Sequence, residues 1–245
     1  AVMGMGGIGK TELALQYALR FAERYPGGLC WLSCRGRDIG LQLLSFGGNC
    51  LGLPIPEQGE LADKLDFCWN HWPEGEVLLI YDDVTDYSVL QPYLPPANLT
   101  RFTALLTSRL HPNRISNLDP IDLAVLSLSE ALALLSGLAG EERLQAESQR
   151  AQELCEWVGC LPLALELLGA YLAEFEDLSL SELWEELQGE GLASEAFETL
   201  AEELRTPQGV VQTFELSWQG LSSQAQRLAV RLSLFGVAPL VWEWV

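Results

Sequence analysis

The sequence predicts an α/β fold, in which a parallel sheet carries helices on both faces and is followed by a small all-helical domain. Short apolar runs alternate with helical stretches up to about residue 126. Beyond residue 128 strand patterns are absent, and apolar residues recur at intervals of three and four. The first pattern is typical of a parallel sheet covered by helices, and the second is typical of packed helices.

Five strands are predicted in the first half of the chain. Ala1, Val2 and Met3 form the end of an apolar segment that we interpret as a strand. The other four are continuous apolar runs, as expected for strands buried on both faces of a parallel sheet. They are GLCWLSC (28–34), VLLIYDD (77–83), FTALLTS (102–108) and IDLAVLSL (121–128).

Three helices are predicted between these strands, at residues 11–24, 58–72 and 86–93. In the first of them the apolar side chains recur at helical spacing and share one face, which predicts packing against the sheet. This face consists of Ala14, Tyr17, Ala18 and Phe21.

The second half of the chain is predicted to be helical. One long apolar row is interrupted near Gly159 and Pro162, which indicates a break between two helices. The row contains Leu154, Cys155, Val158, Leu161, Leu165, Leu168 and Leu172. The segment RTPQG (205–209) indicates a further joint, and the sequence stops at VWEWV in the middle of a pattern. We therefore expect the chain to be a piece of a longer protein.

Composition restricts the classes of protein to which the chain can belong. Its 245 residues are 49% hydrophobic, which predicts a globular protein with a sizeable core. Fourteen basic residues face 34 acidic ones, and a net charge of -20 repels nucleic acid and anionic membranes. No apolar run approaches the roughly 20 residues of a membrane span, and no secretory signal is seen. We expect no nucleic-acid or membrane partner, and any bound anion requires a local site.

Six irregularly spaced cysteines indicate a reducing compartment, and a cytoplasmic location is expected. A zinc site made of Cys30, Cys34, Cys68 and His71 is conceivable, but the chain has no close Cys-x-x-Cys pair. Buried structural thiols are the favoured interpretation.

The segment from Gly4 to Thr11 fits the pattern G-x-x-x-x-G-K-[ST]. Glycines let successive amides point at a phosphate, and the following helix adds its own N-terminal amides. We expect Lys10 to reach the outer phosphates and the Thr11 hydroxyl to bind Mg²⁺. The alternative is a flexible glycine loop that matches by chance. The residues predicted to surround the phosphates are Gly6, Gly7, Ile8, Gly9, Lys10, Thr11 and Glu12.

Two aspartates end the apolar run at 77–83. Ligands of open α/β sheets bind at the carboxyl ends of the strands, where Asp82 and Asp83 are expected to lie. Asp82 is predicted to hold Mg²⁺ directly or through water, and Asp83 to orient or deprotonate water beside a γ-phosphate. The alternative is that both residues cap the next helix.

The segment ALLTSR ends a third strand at the same predicted edge, with Thr107, Ser108 and Arg109. Arginine meets phosphate oxygens in a bidentate fork, so Arg109 is predicted to sense the γ-phosphate. The alternative is a surface arginine in a turn.

With these motifs and GCLPLAL (159–165), the chain resembles the NB-ARC branch of the STAND ATPases. These proteins are the nucleotide switches of plant resistance receptors, the apoptosome protein and many bacterial regulators. The resemblance covers nearly the whole chain, and the four motifs occur in the family's order. It implies a P-loop NTPase domain at 1–128, a helical domain at 129–206 and the start of a winged-helix domain at 207–245.

The resemblance also implies how the site is assembled. The strand that ends in Arg109 would insert between the first strand and the strand that ends in Asp82. Pro162 would pack near the adenine, although the residues alone are also consistent with an ordinary helix break. The winged-helix histidine that senses the ADP β-phosphate has no match, because His71 and His111 lie elsewhere. The segment that binds adenine ahead of the glycine-rich loop is missing as well.

The resemblance implies a slow ATPase switch that binds ATP and ADP with Mg²⁺. Lys10, Asp83 and Arg109 would be the catalytic residues, and Thr11 and Asp82 the metal ligands. ADP would favour a closed form, and ATP an open form that assembles into a homo-oligomer and acts through missing effector and sensor domains. Two alternatives stay open, a non-hydrolysing ADP-binding scaffold and an AAA+-like motor. The motor is less favoured, because such motors usually carry Asp-Glu where this chain has Asp82-Asp83.

Overall fold

The computed structural model describes residues 1–109, 119–189, 222 and 224–227. The chain divides into two compact units, Ala1–Ala124 and Val125–Val245, and each is described by itself. The division into three domains implied by the family resemblance stays a prediction, and nearly all of 207–245 lies outside the described residues.

The first unit is built on a five-stranded parallel sheet with the strand order β2-β3-β4-β1-β5. The strands are β1 (Val2–Met3), β2 (Gly28–Ser33), β3 (Val77–Val84), β4 (Phe102–Ser108) and β5 (Ile121–Asp122). β4 lies between β3 and β1, as the family resemblance implies. The carboxyl ends of three strands therefore meet at one edge of the sheet.

Helices cover both faces of this sheet, because β3 is apolar on both of its sides. The α-helices of this unit are α1 (Lys10–Arg20), α2 (Ile39–Asn49), α3 (Leu61–His71) and α4 (Tyr87–Leu90). Leu79 packs in one cluster with Leu43 of α2 and Leu65 of α3. On the opposite face, Leu78 packs with Ala14 of α1. The predicted α/β fold class is confirmed.

The helix α2 was not predicted from the sequence. Its segment IGLQLLSFGGN contains Gly40, Gly47 and Gly48, and glycine is a poor helix former. Close packing against α3 compensates for this low helix propensity. A Cβ added at Gly47 would lie only 3.1 Å from the Sγ of Cys68 on α3. A helix without side chains at these positions can approach α3 closely.

The predicted strand 121–128 is wrong in its length, because β5 covers only Ile121–Asp122. Its partner β1 is equally short, and the last bond of this pairing runs from the Leu123 N–H to the Met3 carbonyl at 2.9 Å. Ser127 then caps the next helix in a reciprocal pair of hydrogen bonds with Glu130. The capping box ends the extended segment.

The second unit is helical as far as the structure describes it. Between residues 125 and 189 its helices are α5 (Leu128–Ala139), α6 (Glu141–Ala146), α7 (Ser148–Trp157), α8 (Pro162–Glu174) and α9 (Leu180–Gly189). The seven residues of the predicted apolar row are all buried, and the break between α7 and α8 lies where Gly159 and Pro162 indicated it. Every helix among the described residues is too short or too polar to cross a bilayer.

The zinc alternative is not supported by the geometry. Cys30 and Cys68 are buried, and burial raises the pKa of Cys30 and Cys34 to about 12, which disfavours the thiolate that zinc requires. The His71 Nδ1 lies 2.9 Å from the Phe67 carbonyl oxygen. Within the described part of the chain, no cluster of three or more His, Cys, Asp or Glu could hold a metal ion.

Candidate functional site

The glycine-rich loop joins β1 to α1 at the carboxyl edge of the sheet. Gly4, Gly7 and Gly9 have φ angles of 147°, 75° and 96°, which only glycine adopts readily. Gly9 is the N-cap of α1, no described side chain caps this helix, and a Cβ on Gly9 would meet no described atom within 4 Å. Free helical amides next to open space fit a phosphate group.

The side chains of the loop are arranged around this opening. Ile8 is buried and anchors the loop, whereas Glu12 is exposed in the first turn of α1 and accepts a hydrogen bond from Gln16. A Cβ on Gly6 would lie 3.5 Å from the Arg109 guanidinium. Arg109 therefore lies against the loop.

Lys10 begins α1, and only 8% of its surface is exposed. Its ammonium group donates hydrogen bonds to the carbonyls of Gly4 and Met5, at 2.8 and 2.7 Å. Burial lowers the pKa of Lys10, the positive charge of Arg109 lowers it further, and the two aspartates act in the opposite direction. Two of the three N–H donors of Lys10 are thus in use, so contact with more than one phosphate oxygen requires the exchange of loop carbonyls.

Asp82 accepts two hydroxyl hydrogen bonds on the same oxygen. Thr11 Oγ1 donates to Asp82 Oδ1 at 2.9 Å, and Thr107 Oγ1 donates to it at 2.6 Å. Among the described residues no donor bonds the other oxygen, Oδ2. A hydroxyl and a carboxylate are the hard oxygen ligands that Mg²⁺ prefers, so the chemistry of these donors fits that ion.

A β-bulge in β3 sets both Asp82 and Asp83 against one residue of β4. The β3–β4 register pairs Tyr81 with Leu106 and Val84 with Ser108, so both aspartates lie opposite the single residue Thr107. Asp83 has a φ of 55°, an unusual value for a residue other than glycine. Its N–H donates to Thr107 Oγ1 at 2.8 Å.

Two arginines flank the Asp83 carboxylate. Arg35 Nη1 lies 3.4 Å from Oδ2, and Arg109 Nε lies 3.8 Å from Oδ1. The arginine side chains are 63% and 50% exposed, so water screens both pairs. A cavity of about 160 Å³ opens here, lined by Arg35, Asp83, Val84, Thr85 and Arg109.

The alternative for the aspartates, that they cap the next helix, does not agree with the geometry. Asp86 is the N-cap of α4 and accepts a hydrogen bond from the Ser88 N–H at 2.8 Å. Asp82 and Asp83 are still in the strand, where they face other partners.

The structure brings Lys10, Thr11, Asp82, Asp83 and Arg109 together at one sheet edge. Pro162 belongs to the second unit, where it occupies the first turn of α8. Its contact with adenine stays a prediction, and His111 lies outside the described residues.

Sequence reasoning missed Arg35 and the hydrogen bonds of Thr107. Arg35 follows β2, and its proximity to Asp83 could have been inferred only from the pairing of β2 with β3. Thr107 was recognised as the end of a strand, but its partners depend on the bulge. The sequence offered one signal for these bonds, a threonine at the carboxyl end of a strand that was expected to neighbour the strand ending in two aspartates.

Known proteins resemble this chain over most of its length. No protein-family model matches it. It is 29% identical over 241 residues to the regulatory protein AfsR of Streptomyces coelicolor, covering 95% of this chain and 23% of that protein. It is 27% identical over 195 residues to a putative disease resistance protein of Arabidopsis thaliana, covering 71% of this chain and 21% of that protein. The chain thus spans only about a fifth to a quarter of these curated relatives.

A solved structure shares the fold. It is the crystal structure of a Signal Transduction ATPase with Numerous Domains (STAND) protein with a tetratricopeptide repeat sensor, from Pyrococcus horikoshii. The TM-score is 0.55 at 20% identity, and the match covers 99% of this chain and 33% of that chain. The relatives thus support the resemblance of this chain to the NB-ARC branch of the STAND class of P-loop ATPases, and the solved structure shows the shared fold.

Proposed function

We propose that the chain is the nucleotide-binding part of a signalling switch, which binds ADP and ATP with Mg²⁺ and hydrolyses ATP slowly. The observation that carries the proposal is the convergence of Lys10, Thr11, Asp82, Asp83 and Arg109 beside an uncapped helix N-terminus. Each of these residue types has a known use in phosphoryl transfer.

The loop and α1 would bind the phosphates. Their amides supply donors without charge, and Lys10 supplies a point charge once it leaves the Gly4 and Met5 carbonyls. Thr11 and Asp82 would hold Mg²⁺, which when bound neutralises charge on the phosphate oxygens. Because the Thr11 hydrogen already points to Asp82, a lone pair of its hydroxyl oxygen remains for a metal.

Asp83 and Arg109 would act at the γ-phosphate. Arg109 contacts both the loop and Asp83, so a γ-phosphate and the Asp83 carboxylate compete for its guanidinium. When Arg109 turns to the phosphate, Asp83 loses one of its two cationic partners. One carboxylate oxygen is then free to accept a hydrogen bond from the attacking water and to orient it.

The remaining features of the proposal concern the longer protein. We propose that ADP favours a closed form, in which Pro162 packs near the adenine, and that ATP favours an open form that assembles into a homo-oligomer. Effector and sensor domains outside this chain would supply output and input. We propose a cytoplasmic location, where the buried thiols stay reduced.

A non-hydrolysing ADP-binding scaffold is the second candidate, and one observation favours it. Both oxygens of Asp83 already face an arginine, so the carboxylate is less accessible to a water molecule that it would have to orient. Single-turnover hydrolysis separates the two candidates, and a rapid steady-state rate would indicate a motor instead.

The test combines calorimetry with hydrolysis. We expect the 245-residue chain to bind Mg·ADP and a non-hydrolysable Mg·ATP analogue, and to convert one equivalent of ATP slowly. Asp83→Asn should still bind both nucleotides and should lose turnover, because the amide accepts no proton. Absence of nucleotide binding contradicts the proposal, whereas binding without any turnover supports the scaffold.

A further inference from the structure

The Thr107 hydroxyl connects the two aspartates of the site. Thr107 is 1% exposed, at the carboxyl end of β4. Its oxygen lies 2.6 Å from Asp82 Oδ1 and 2.8 Å from the Asp83 nitrogen. One buried side chain thus contacts the predicted metal ligand and the residue predicted to act on water.

The polarity of these two bonds is fixed. A hydroxyl has one hydrogen and two lone pairs, and a backbone N–H can only donate. Thr107 Oγ1 must accept from the Asp83 amide, which leaves its single hydrogen for Asp82. This arrangement directs both hydroxyl donors to Oδ1 and leaves Oδ2 without a bonded donor among the described residues.

The same hydroxyl accounts for the backbone at Asp83. The bulge sets two residues of β3 against one residue of β4, which leaves an amide without a carbonyl partner in the ladder. The Asp83 amide finds the Thr107 oxygen instead. A left-handed non-glycine residue is retained where its surroundings hold it, and this bond is one such constraint.

We propose that Thr107 is a positioning residue for the metal ligand Asp82, and that its hydroxyl sets the Mg²⁺ dependence of nucleotide binding. This inference rests on the proposed function. When a group that hydrogen-bonds a metal ligand without contacting the metal itself is removed, metal affinity typically falls by about 10- to 100-fold. Within the described part of the chain, Thr107 makes no hydrogen bond to the loop or to Lys10, so binding of metal-free nucleotide should not depend on it.

The test uses Thr107→Val, which keeps the shape of the side chain and removes the hydroxyl, and Thr107→Ser, which keeps the hydroxyl. Thr103→Val makes the same chemical change at an exposed position of the same strand and serves as the matched control. ADP affinity is measured by calorimetry in EDTA and across a Mg²⁺ titration, with thermal unfolding of each variant as a check of folding.

We expect the Mg²⁺ midpoint for Thr107→Val to rise about 10- to 100-fold, with EDTA affinity changed by less than about threefold. Thr107→Ser and Thr103→Val should match the wild type. An unchanged midpoint in Thr107→Val, or an equal loss with and without Mg²⁺, overturns the inference. If Thr107→Val does not fold, Thr107→Cys replaces it, since a thiol is a weak donor and acceptor, and the same outcomes apply.

Failure of the proposed function gives a different result. If the wild-type chain binds no ADP under any condition, the proposed function is wrong and this inference is wrong with it. If the wild type binds with a defined Mg²⁺ midpoint and Thr107→Val has the same midpoint, only the role of Thr107 is wrong.

Discussion

Individual side chains at the sheet edge already have partners, and this determines how each would respond to a nucleotide. Lys10 bonds two loop carbonyls, Asp82 accepts two hydroxyl bonds, and Asp83 lies between two arginines. A bound phosphate would therefore exchange contacts at Lys10 and Arg109. Such exchange reduces the net affinity gained from each charge, because the contacts that are lost offset part of the gain.

Replacement of Lys10 by alanine should weaken nucleotide binding. A hydrogen bond to a charged group contributes roughly 1.5–3 kcal/mol. At about 1.4 kcal/mol per decade, affinity should fall about ten- to a hundredfold. Lys64→Ala is a matched control, because it removes the same charge from the other lysine of the chain. The Lys64 ammonium group donates to the carbonyl of Glu57, which precedes α3. Calorimetry with ADP checks the prediction, and equal losses in both variants would contradict it.

Arg109→Ala should lower the preference for ATP over ADP. Only an interaction made with the γ-phosphate can favour one nucleotide state, and ADP lacks that group. Loss of a bond worth roughly 1.5–3 kcal/mol weakens binding of a non-hydrolysable ATP analogue about ten- to a hundredfold and leaves ADP nearly unchanged. Arg35→Ala removes the other arginine from Asp83 and should keep the preference. If Arg109→Ala weakens both nucleotides equally, Arg109 is a structural residue.

At the scale of elements, the sequence predicted what depends on local pattern and failed where tertiary contacts decide. The apolar runs located β2 and β4 accurately, because buried parallel strands leave a continuous signal. The helix α2 was not predicted, because its glycines argue against a helix locally and are explained only by the close approach to α3. The bulge at Asp82 and Asp83 was not predicted, because the register depends on how two strands pair. The position of Arg35 was not predicted, because it depends on the order of the strands in the sheet.

The start of α9 depends on a residue far from it in the sequence. The Glu147 carboxylate accepts hydrogen bonds from the Leu180 and Ser181 amides, at 2.8 and 3.0 Å, and from the Ser181 hydroxyl. The hydroxyl bond is the main cause that lowers the pKa of Glu147. The pKa of a free glutamate side chain, about 4.3, applies to the unfolded chain, and the pKa of Glu147 in the folded protein is lower. The ionised carboxylate therefore stabilises the fold at pH values above about 4.3, and this stabilisation is lost as the pH falls through the pKa of the folded state.

Glu147→Gln should therefore lower the thermal unfolding midpoint at pH 7. The difference from the wild type should shrink as the pH falls below about 4.3, because the wild-type carboxylate then becomes neutral as well. Glu166→Gln removes the same charge from an exposed position of α8 and should change little. Melting curves followed by circular dichroism across this pH range check the prediction. A difference that does not depend on pH would show that the charge of Glu147 is irrelevant.

At the scale of the whole molecule, the strongly negative charge and the local anion site act in opposite directions. The chain carries a net charge of -20, yet it has a loop whose free amides and buried lysine fit phosphates. Amides carry no net charge, and their attraction acts over a short range. A small phosphate ligand can therefore enter a site that a long polyanion cannot approach closely.

We expect the chain to bind Mg·ADP and not to bind duplex DNA. Non-specific DNA binding requires several Lys or Arg side chains that neutralise neighbouring phosphates and release counterions. Here 34 acidic residues outnumber 14 basic ones, so the long-range field repels the duplex, most strongly at low salt, where screening is weakest. A mobility-shift assay at low and at physiological salt checks this, with Mg·ADP calorimetry on the same sample as proof of a competent fold. DNA binding that is tight at low salt and weakens as salt is added would contradict the prediction, since that dependence requires a basic surface.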